Sequence, residues 1–595
     1  MKNFKLLAAL SCLGAALLFA PMSYGQQVVG AGSSALFPTM AIAAVSPDPI
    51  TGTPAPCGNR IWTAGSAIAS GKDNRGGIPL EGGNVWVAWD IDAAPTVVCA
   101  YLSVDSLVGQ RLFYSQSGSG NATLELTAAA TSTPGANRVS FITDTVLPGL
   151  PVAVFNIVNH AHFNVAFTDI RAEDGVFANT RAGCAPVPGD TSKQCMGYGL
   201  PIAPNPIKSS YSGASAQVVA YGISSPTATG TDPISGLSIP ASITTSVGAD
   251  PVVVIVNTSN AAAGHLGDSR VVNAPSHVLA AIYDGYLGGT ASLAPSMLPS
   301  NAVLHVVERE PVSGTYNTFE WQNVRERDGS NGLSQEVGIP DPVPANQNCF
   351  VPGGFVPPAV VCQNPLNEPG SPAGFAFRTR AIGTGEMVNA ISAATNPDSI
   401  GYAFWSLGTF GGKPNLRFLT LDGVDPLYSG YTVAAGGTNG LFPTCSGAFN
   451  LGTFACPPGT VLPNFANIIN GGYRVWSVLR AITNTPAPAP VLGLIQAAQD
   501  QAHVNIPDFV PSVFCANAAC SAKTVGVPVF RSHYAISGVT PNNGNNSSGA
   551  GCGAEAGGDM AGAIFTVQSD TEIYGVTGGG ACPPAVPSFF LTYIQ

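Results

Sequence analysis

An arginine, two hydroxyl side chains and a glycine lie close together near the middle of the chain, in residues 308–315 (EREPVSGT). An apolar run precedes them and the residues YNTFEW follow, a pattern that predicts a buried strand, a tight turn and then a helix. The first N–H groups of a helix have no partner within it, and the Arg309 guanidinium is a planar, permanently charged donor, so together they favour an oxyanion. Arg309, Ser313, Gly314 and Thr315 therefore predict an anion site. The same residues also fit a plain turn in which Ser313 or Thr315 caps the helix.

Three further turns with hydroxyl or acidic side chains follow predicted strands. Residues 26–38 (QQVVGAGSSALFP) predict a short strand, a glycine turn with two serines, and a helix that begins near Ala35. Residues 112–126 predict a second strand, a Gly/Ser turn that contains Ser119, and the start of a helix. Residues 164–170 (NVAFTDI) predict a third strand that ends at Asp169. Because open α/β sheets bind ligands at the carboxyl ends of their strands, we expect these turns to line one cleft.

Composition points to an α/β protein with more than one domain. The chain has 595 residues, which is too long for a single hydrophobic core. Charged residues make up only 10%, and the 70 glycines and 50 prolines favour short strands and ordered loops over helix bundles. Strands alternate with helices through the middle of the chain, which predicts open, mixed sheets. The net charge of −11 disfavours nucleic acid or an anionic membrane surface as a partner, but it allows a small anion held by local donors.

The N-terminus is typical of an exported protein. Lys2 and Lys5 precede an apolar run over residues 6–20, and small residues follow it, which predicts a cleaved signal peptide. A lipid anchor on Cys12 is the alternative, but Cys12 lies too early, inside the apolar run. Removal of residues 1–25 leaves twelve of the thirteen cysteines, and an even number in an exported chain predicts disulfide bonds. Pairing of sequence neighbours would close six local loops, although the sequence alone does not determine the connectivity.

The ordered set of turns resembles that of the PstS-like periplasmic phosphate-binding proteins, which are substrate-binding components of bacterial ABC transporters. The matching residues, over roughly residues 28–510, are 30–34 (GAGSS) for the first loop, Tyr114 with 117–120 (SGSG) for the second, 167–169 (FTD) for the acid-bearing strand end, and Arg309 with 313–315 (SGT) for the R-x-D-G-S-G-T motif. One departure matters for the site. Pro311 and Val312 stand where the family has Asp-Gly, so the motif lacks the carboxylate expected to brace Arg309.

The resemblance implies a two-lobed, type 2 periplasmic-binding fold of α/β class, with mixed sheets, long Cys/Gly/Pro-rich insertions and a β-rich C-terminal extension. Lobe I would comprise residues 26–249 and 474–511, lobe II residues 250–473, and the extension residues 512–595. It implies no cofactor, no metal and no catalytic residue, and it makes the chain a monomer that captures inorganic phosphate for an ABC permease. The ligand-binding residues it implies are Ser34, Ser119, Asp169, Arg309, Ser313, Gly314 and Thr315.

Asp169 is the residue that would distinguish one anion from another. A carboxylate beside a bound anion is repulsive unless it accepts a proton that the ligand still carries. Phosphate keeps such a proton near neutral pH, whereas sulfate does not, so an unpaired buried acceptor facing sulfate would cost several kcal/mol. The alternative for Asp169 is a strand-end carboxylate paired with Arg171.

Other polar groups give weaker signals. His160 and His162 would place two imidazoles on one strand face, but no acid or cysteine lies at a matching spacing, so we assign them to a polar loop. Asp90 and Asp92 resemble a carboxylate pair, but a turn at a strand end explains them better. Apolar strand-like runs hold three tryptophans that we assign to packing: Trp86, Trp89 and Trp405.

The sequence favours a binding protein over an enzyme. It contains no G-x-S-x-G nucleophile turn, no H-E-x-x-H helix and no P-loop, so an enzyme would lack a named nucleophile or metal set. Two alternatives remain. One is an extracellular or surface protein that keeps the PstS-like fold without serving transport. The other is a phosphate-ester hydrolase that uses the same anion pocket.

Overall fold

The computed structural model describes residues 26–70, 82–116, 122–142, 147–170, 240–283, 287–293, 302–309, 313–319, 323, 377–381, 383–395, 397–430, 433–434, 438–449, 454–469, 472–484, 486–511, 529–531 and 564–566. The predicted signal peptide, Ser119, Arg171 and all but six residues of the predicted C-terminal extension lie outside these ranges.

The described strands agree with most of the strands that the sequence predicts. They are β1 (Gln26–Gly32), β2 (Arg60–Ser70), β3 (Gly82–Trp89), β4 (Val97–Ser103), β5 (Thr123–Glu125), β6 (Val165–Thr168), β7 (Ser242–Asn257), β8 (Asn273–Ala274), β9 (His305–Arg309), β10 (Phe377–Ala381), β11 (Ser399–Phe404), β12 (Leu416–Phe418), β13 (Thr420–Leu421), β14 (Val433–Ala434), β15 (Thr438–Asn439), β16 (Trp476–Asn484), β17 (Val510–Pro511), β18 (Val529–Arg531) and β19 (Ile564–Thr566).

Helices alternate with the strands through the middle of the chain. They are α1 (Phe37–Val45), α2 (Ser106–Tyr114), α3 (Val152–Val158), α4 (Ser276–Tyr283), α5 (Gly314–Phe319), α6 (Gly383–Ser392), α7 (Leu407–Phe410), α8 (Ala466–Ile469) and α9 (Ala489–Val504). In the part of the chain that the structure describes, no helix is both long and apolar enough to cross a membrane.

Two of the predicted elements are wrong. Residues 112–114 form the end of helix α2 and not a strand, and the helix expected to start after residue 121 is the short strand β5. An apolar run as short as Leu112, Phe113 and Tyr114 has no periodicity that separates strand from helix. All nine residues of α2 are buried, including the polar residues Gln110 and Arg111, so the polar side chains of this helix also lie inside the protein.

One large mixed sheet organises the described residues and confirms the predicted α/β class. Its strand order is β10-β9-β11-β7-β16-β6-β1-β4-β3-β2-β5, and β12 and β17 also pair with β7. Strand β1 is parallel to both of its neighbours, β4 and β6, whereas β16 is antiparallel to both β6 and β7. Parallel pairs need helical crossovers, which accounts for the alternation of strands and helices.

Strand β7 joins two groups of strands. Residues Ser242 to Pro251 pair with β16, whereas residues Val252 to Val256 pair with β11. We call β1 to β6 together with β16 the first half of the sheet, and β9 to β12 the second half. The second segment of β7 is a continuous apolar run (VVVIV), as expected for a strand covered on both faces.

The core follows the alternation of side chains along the strands. Val28 of β1 belongs to an apolar cluster that includes residues of both halves, such as Cys99 of β4 and Val306 of β9. The next residue, Val29, belongs to a second cluster, which includes Leu102 and Leu112 on the opposite face of the first half. Because neighbouring residues of a strand point to opposite faces, these two clusters cover both sides of β1.

Two disulfide bonds lie within the described residues. They join Cys57 to Cys99 and Cys445 to Cys456. Each bond joins two cysteines that have no other cysteine between them in the sequence, which confirms that part of the predicted pairing. The other eight mature cysteines lie outside the described residues. The first bond ties β4 to the loop before β2, so it holds the strand that leads to helix α2.

Candidate functional site

The two halves of the sheet meet at the ends of strands β4 and β9. These strands are six positions apart in the sheet order, which corresponds to roughly 30 Å in a flat sheet. Yet Arg309, the last residue of β9, places Nη2 3.1 Å from Oδ1 of Asp105, which follows β4. The halves therefore fold toward each other about β7 and β16, and the turns at their strand ends enclose a shared site.

Arg309 is held by groups on both sides of this junction. Its side chain is 1% exposed and that of Asp105 is 2% exposed, so their ion pair is shielded from water. Nη1 of Arg309 donates to Oγ1 of Thr315 at 3.0 Å. The carboxylate missing from the motif around Pro311 is thus replaced by Asp105, a residue that the sequence did not single out.

Asp169 lies at the carboxyl end of β6 inside the same site. It is 2% exposed, its side chain bonds with the hydroxyls of Ser33 and Ser106, and its backbone N–H donates to Oγ of Ser106 at 3.3 Å. Oδ1 of Asp169 is buried without a hydrogen-bond partner among the described residues. The site therefore contains an acceptor oxygen that a proton donor would satisfy.

The charge on Asp169 depends on opposing effects. Burial is the largest and raises the pKa of its carboxyl group to about 6, because a charged group is poorly solvated there. The Ser33 hydrogen bond, the charge of Arg309, the Ser106 hydrogen bond and the charge of Arg480 act in the opposite direction. Above pH 6 the carboxylate form therefore predominates, and Asp169 is then a pure acceptor.

Gly314 brings the second half against this carboxylate. A β-carbon on Gly314 would lie 2.5 Å from Oδ2 of Asp169 and 2.6 Å from Oγ of Ser106. Real side chains do not approach so closely, so glycine permits this contact. The neighbouring Ser313 hydroxyl accepts the Tyr316 N–H at 3.3 Å, so Ser313 also serves the capping role that the sequence allowed.

Ser34 makes a separate contact between the halves. Its hydroxyl accepts the N–H of Thr384 at 3.1 Å, and its Oγ lies 3.2 Å from Oγ1 of the same residue, near the start of α6. Ser33, and not Ser34, is the serine of this turn that bonds with Asp169. Ser119 lies outside the described residues.

Sequence reasoning missed Ser33, Asp105 and Ser106 as parts of this cluster. Residues 97–106 (VVCAYLSVDS) end an apolar run with Asp and Ser, which is a helix-start signal. The predicted second loop was instead the Gly/Ser-rich stretch around Ser119, which lies outside the described residues. The cluster comprises Ser33, Asp105, Ser106, Asp169, Arg309, Ser313, Gly314 and Thr315.

The other polar groups take the structural roles expected of them. Asp90 accepts the N–H groups of Ile91 and Thr96 at 2.8 and 2.9 Å, which confirms its assignment to a turn. His160 lies 2.8 Å from Oε1 of Glu125 on an exposed surface. Among the described residues no group of three His, Cys, Asp or Glu side chains is arranged to hold a metal ion. The packing role predicted for three tryptophans is confirmed, because all are buried: Trp86, Trp89 and Trp405.

Comparisons with known proteins give structural matches alone. No family model matches the chain, and no curated protein matches it. Among solved structures it is similar to a phosphate-binding protein from Stenotrophomonas maltophilia, at 13% identity and a TM-score of 0.30, over 79% of this chain and 83% of that one. It is also similar to the ancestral soluble variant of the human phosphate-binding protein, at 11% identity and a TM-score of 0.32, over 82% and 90%. A third is a phosphate ABC transporter substrate-binding protein from Clostridium perfringens, at 13% identity and a TM-score of 0.25, over 44% and 69%.

Proposed function

We propose that this chain is an exported binding protein that captures inorganic phosphate, or a similar tetrahedral oxyanion, between the two halves of its sheet for uptake by an ABC permease. The donors would be the Arg309 guanidinium, the Gly314 N–H and hydroxyl groups from both halves. The acceptor would be Asp169. The hydroxyl residues of the proposed site are Ser33, Ser34, Ser106, Ser119, Ser313 and Thr315.

The observation that carries this proposal is the environment of Asp169. A buried carboxylate oxygen without a partner is unfavourable, and it would be satisfied by a ligand that brings a proton. The surrounding hydroxyls and Arg309 are donors, which an oxyanion needs for its remaining oxygens. Hydrogen phosphate brings both a proton for Asp169 and oxygens for the surrounding donors, whereas fully ionised sulfate brings only the oxygens.

The proposed lobes follow the division of the sheet. Lobe I would comprise residues 26–249 and 474–511, and lobe II residues 250–473, with β7 and β16 between them. The change of pairing partner along β7 at Pro251 and Val252 supports this division. Closure of the lobes around the anion would be a hinge motion about these strands.

Equilibrium dialysis of the mature chain with labelled phosphate, with and without excess sulfate, tests the proposal. We expect one phosphate per chain at neutral pH, with little displacement by sulfate. Arg309→Gln should abolish binding, whereas Arg270→Gln, which alters an exposed arginine paired with Asp268, should leave it unchanged. Absence of phosphate binding by the folded wild-type protein would refute the proposal. Turnover of a generic phosphate ester that Asp169→Ala abolishes would instead favour the hydrolase alternative.

A further inference from the structure

We propose that the Arg309–Asp105 ion pair is a latch between the two halves of the sheet. In this arrangement Asp105 positions Arg309 for the anion, and it does so only when the halves are closed. This inference rests on the proposed function for the anion, but the latch itself is a property of the chain that is measurable without phosphate.

The two partners of the latch belong to different halves. Asp105 follows β4 of the first half and Arg309 ends β9 of the second half, and the two residues are 204 positions apart in the sequence. Their 3.1 Å contact is nearly inaccessible to water. A contact of this kind exists in one arrangement of the halves and is lost when they separate, which is the property required of a group that biases an opening equilibrium.

Asp105 is not used as a helix cap, although its type and position are those of one. It is the residue immediately before α2, with an extended backbone (φ −80°, ψ 156°), and its side chain makes no capping hydrogen bond. Its carboxylate bonds instead with Arg309. The positioning of Arg309 therefore explains the aspartate better than helix termination does.

A second, uncharged contact also joins the two halves of the sheet. Ser34 of the first half and Thr384, near the start of α6, also meet across the junction, through hydrogen bonds of 3.1 and 3.2 Å. Two separate polar contacts thus join the halves close to the cluster around Asp169. Only the Asp105 contact is charged, so its loss removes the one carboxylate for which an ion pair with the buried Arg309 is seen among the described residues.

The physical effect of the latch should be greatest on the rate of anion release. Burial of both charges costs desolvation energy that offsets much of their attraction, so the pair need not add much to overall stability. When the halves open, however, Arg309 loses Asp105 and the orientation that Asp105 imposes. Loss of the pair should therefore speed opening and release more than it slows capture.

The test compares Asp105→Asn and Asp105→Glu with the control Asp92→Asn. Asp92 also pairs with an arginine, Arg60, at 3.1 Å, but that pair is 38% and 57% exposed and lies away from the junction. Fluorophores on noncanonical amino acids at the exposed positions Val152, in α3 of the first half, and Val303, just before β9 of the second half, report the distance between the halves by energy transfer. Stopped-flow measurement reports the phosphate dissociation rate, and thermal unfolding shows that each variant is folded.

We expect Asp105→Asn to lower the closed fraction in phosphate-free buffer and to speed phosphate release at least tenfold, on the order seen when a buried charge pair is broken. Asp105→Glu should restore most of both properties, and Asp92→Asn should match wild type. A closed fraction unchanged in Asp105→Asn would overturn the latch, even if affinity fell. If Asp105→Asn does not fold, Asp105→Ser, which keeps a capping side chain, takes its place with the same expected outcomes. If wild type binds no phosphate, the proposed function fails, and the closed fraction still decides the latch.

Discussion

Gly314 lies against Asp169 so closely that a β-carbon on the glycine would stand 2.5 Å from the carboxylate oxygen Oδ2. Gly314 begins helix α5 after strand β9, whereas Asp169 follows strand β6 of the first half. The contact therefore brings a backbone segment of one half against the acceptor of the other. A larger side chain at position 314 would collide with Asp169, which explains why a glycine occupies this position. The sequence predicted Gly314 as part of the site because it lies between Ser313 and Thr315.

Replacement of Gly314 by alanine should weaken phosphate binding by about tenfold or more, because the new methyl group pushes the halves apart at Asp169 and Ser106. Equilibrium dialysis measures this effect. Gly385→Ala is the matched control, since that glycine also lies in the first turn of a helix, α6, and a β-carbon there would meet nothing within 4 Å. Equal affinities for wild type and Gly314→Ala would show that the contact with Asp169 is not part of the binding site.

Buried carboxyl groups near β7 predict an unusual dependence of stability on pH. Burial raises the pKa of Asp169 and of Asp508 to about 6, and burial together with the charges of Asp508 and Asp169 raises the pKa of Asp250 well above its ordinary value. At these carboxyl groups the folded protein binds more protons than the unfolded chain between pH 3.8 and about 6, whereas at buried His305, whose pKa burial lowers to about 4, it binds fewer. The carboxyl groups therefore lower the free energy of unfolding as the pH rises through that window, by up to roughly 3 kcal/mol for each group with a pKa near 6.

Denaturant unfolding in phosphate-free buffer at pH 5 and pH 7.5 tests this dependence. We expect Asp250→Asn to be more stable than wild type at pH 7.5 and to show a smaller difference between the two pH values, because Oδ1 of Asp250 has no hydrogen-bond partner among the described residues. Asp92→Asn, at an exposed position, should behave as wild type does. The same difference in stability between pH 5 and pH 7.5 in Asp250→Asn as in wild type would contradict the raised pKa of Asp250.

The sequence predicted the local parts of the site better than their assembly. The strand and helix on either side of Ser313 and Gly314 were predicted correctly, because an apolar run and a Gly/Ser turn are local signals. The helix that carries Ser106 was missed, because its last residues, 112–114, form an apolar run too short to separate a strand from a helix. Ser119, which follows this helix, lies outside the described residues.

Pairing between distant residues was beyond the reach of sequence reasoning. The absence of a carboxylate at Pro311 was visible, but nothing near it in the sequence indicates that Asp105, 204 residues away, takes its place. Such a contact depends on how β7 and β16 set the two halves of the sheet, which is a property of the whole fold. The disulfide partners Cys57 and Cys99 were easier to predict, because they are neighbours among the cysteines.

Removal of the Cys57–Cys99 bond should destabilise the first half of the sheet. The bond closes a loop with a sequence separation of 42 residues and anchors β4, so replacement of both cysteines by serine should lower the free energy of unfolding by about 2–4 kcal/mol. The loss of phosphate-binding free energy should be smaller than the loss of unfolding free energy, because neither cysteine belongs to the cluster around Asp169. Unfolding curves and dialysis on the same preparations measure both quantities.

The Cys445–Cys456 bond provides the comparison. Its sequence separation is 11 residues, so the corresponding double serine variant should lose less stability than the first. An equal or larger loss in this variant would show that loop length does not govern the contribution of these two bonds.

Calorimetric titration of wild type and Asp169→Asn with phosphate and with sulfate at pH 7.5 tests the central claim most directly, with Asp90→Asn as a control for an aspartate that organises a turn. Wild type should bind phosphate with a 1:1 stoichiometry and at least about a hundredfold more tightly than sulfate, because the Asp169 carboxylate accepts a proton that sulfate lacks. Asp169→Asn should lose at least about tenfold of that preference, and Asp90→Asn should keep it. The same preference for phosphate in Asp169→Asn as in wild type, or no phosphate binding by wild type, would contradict the account.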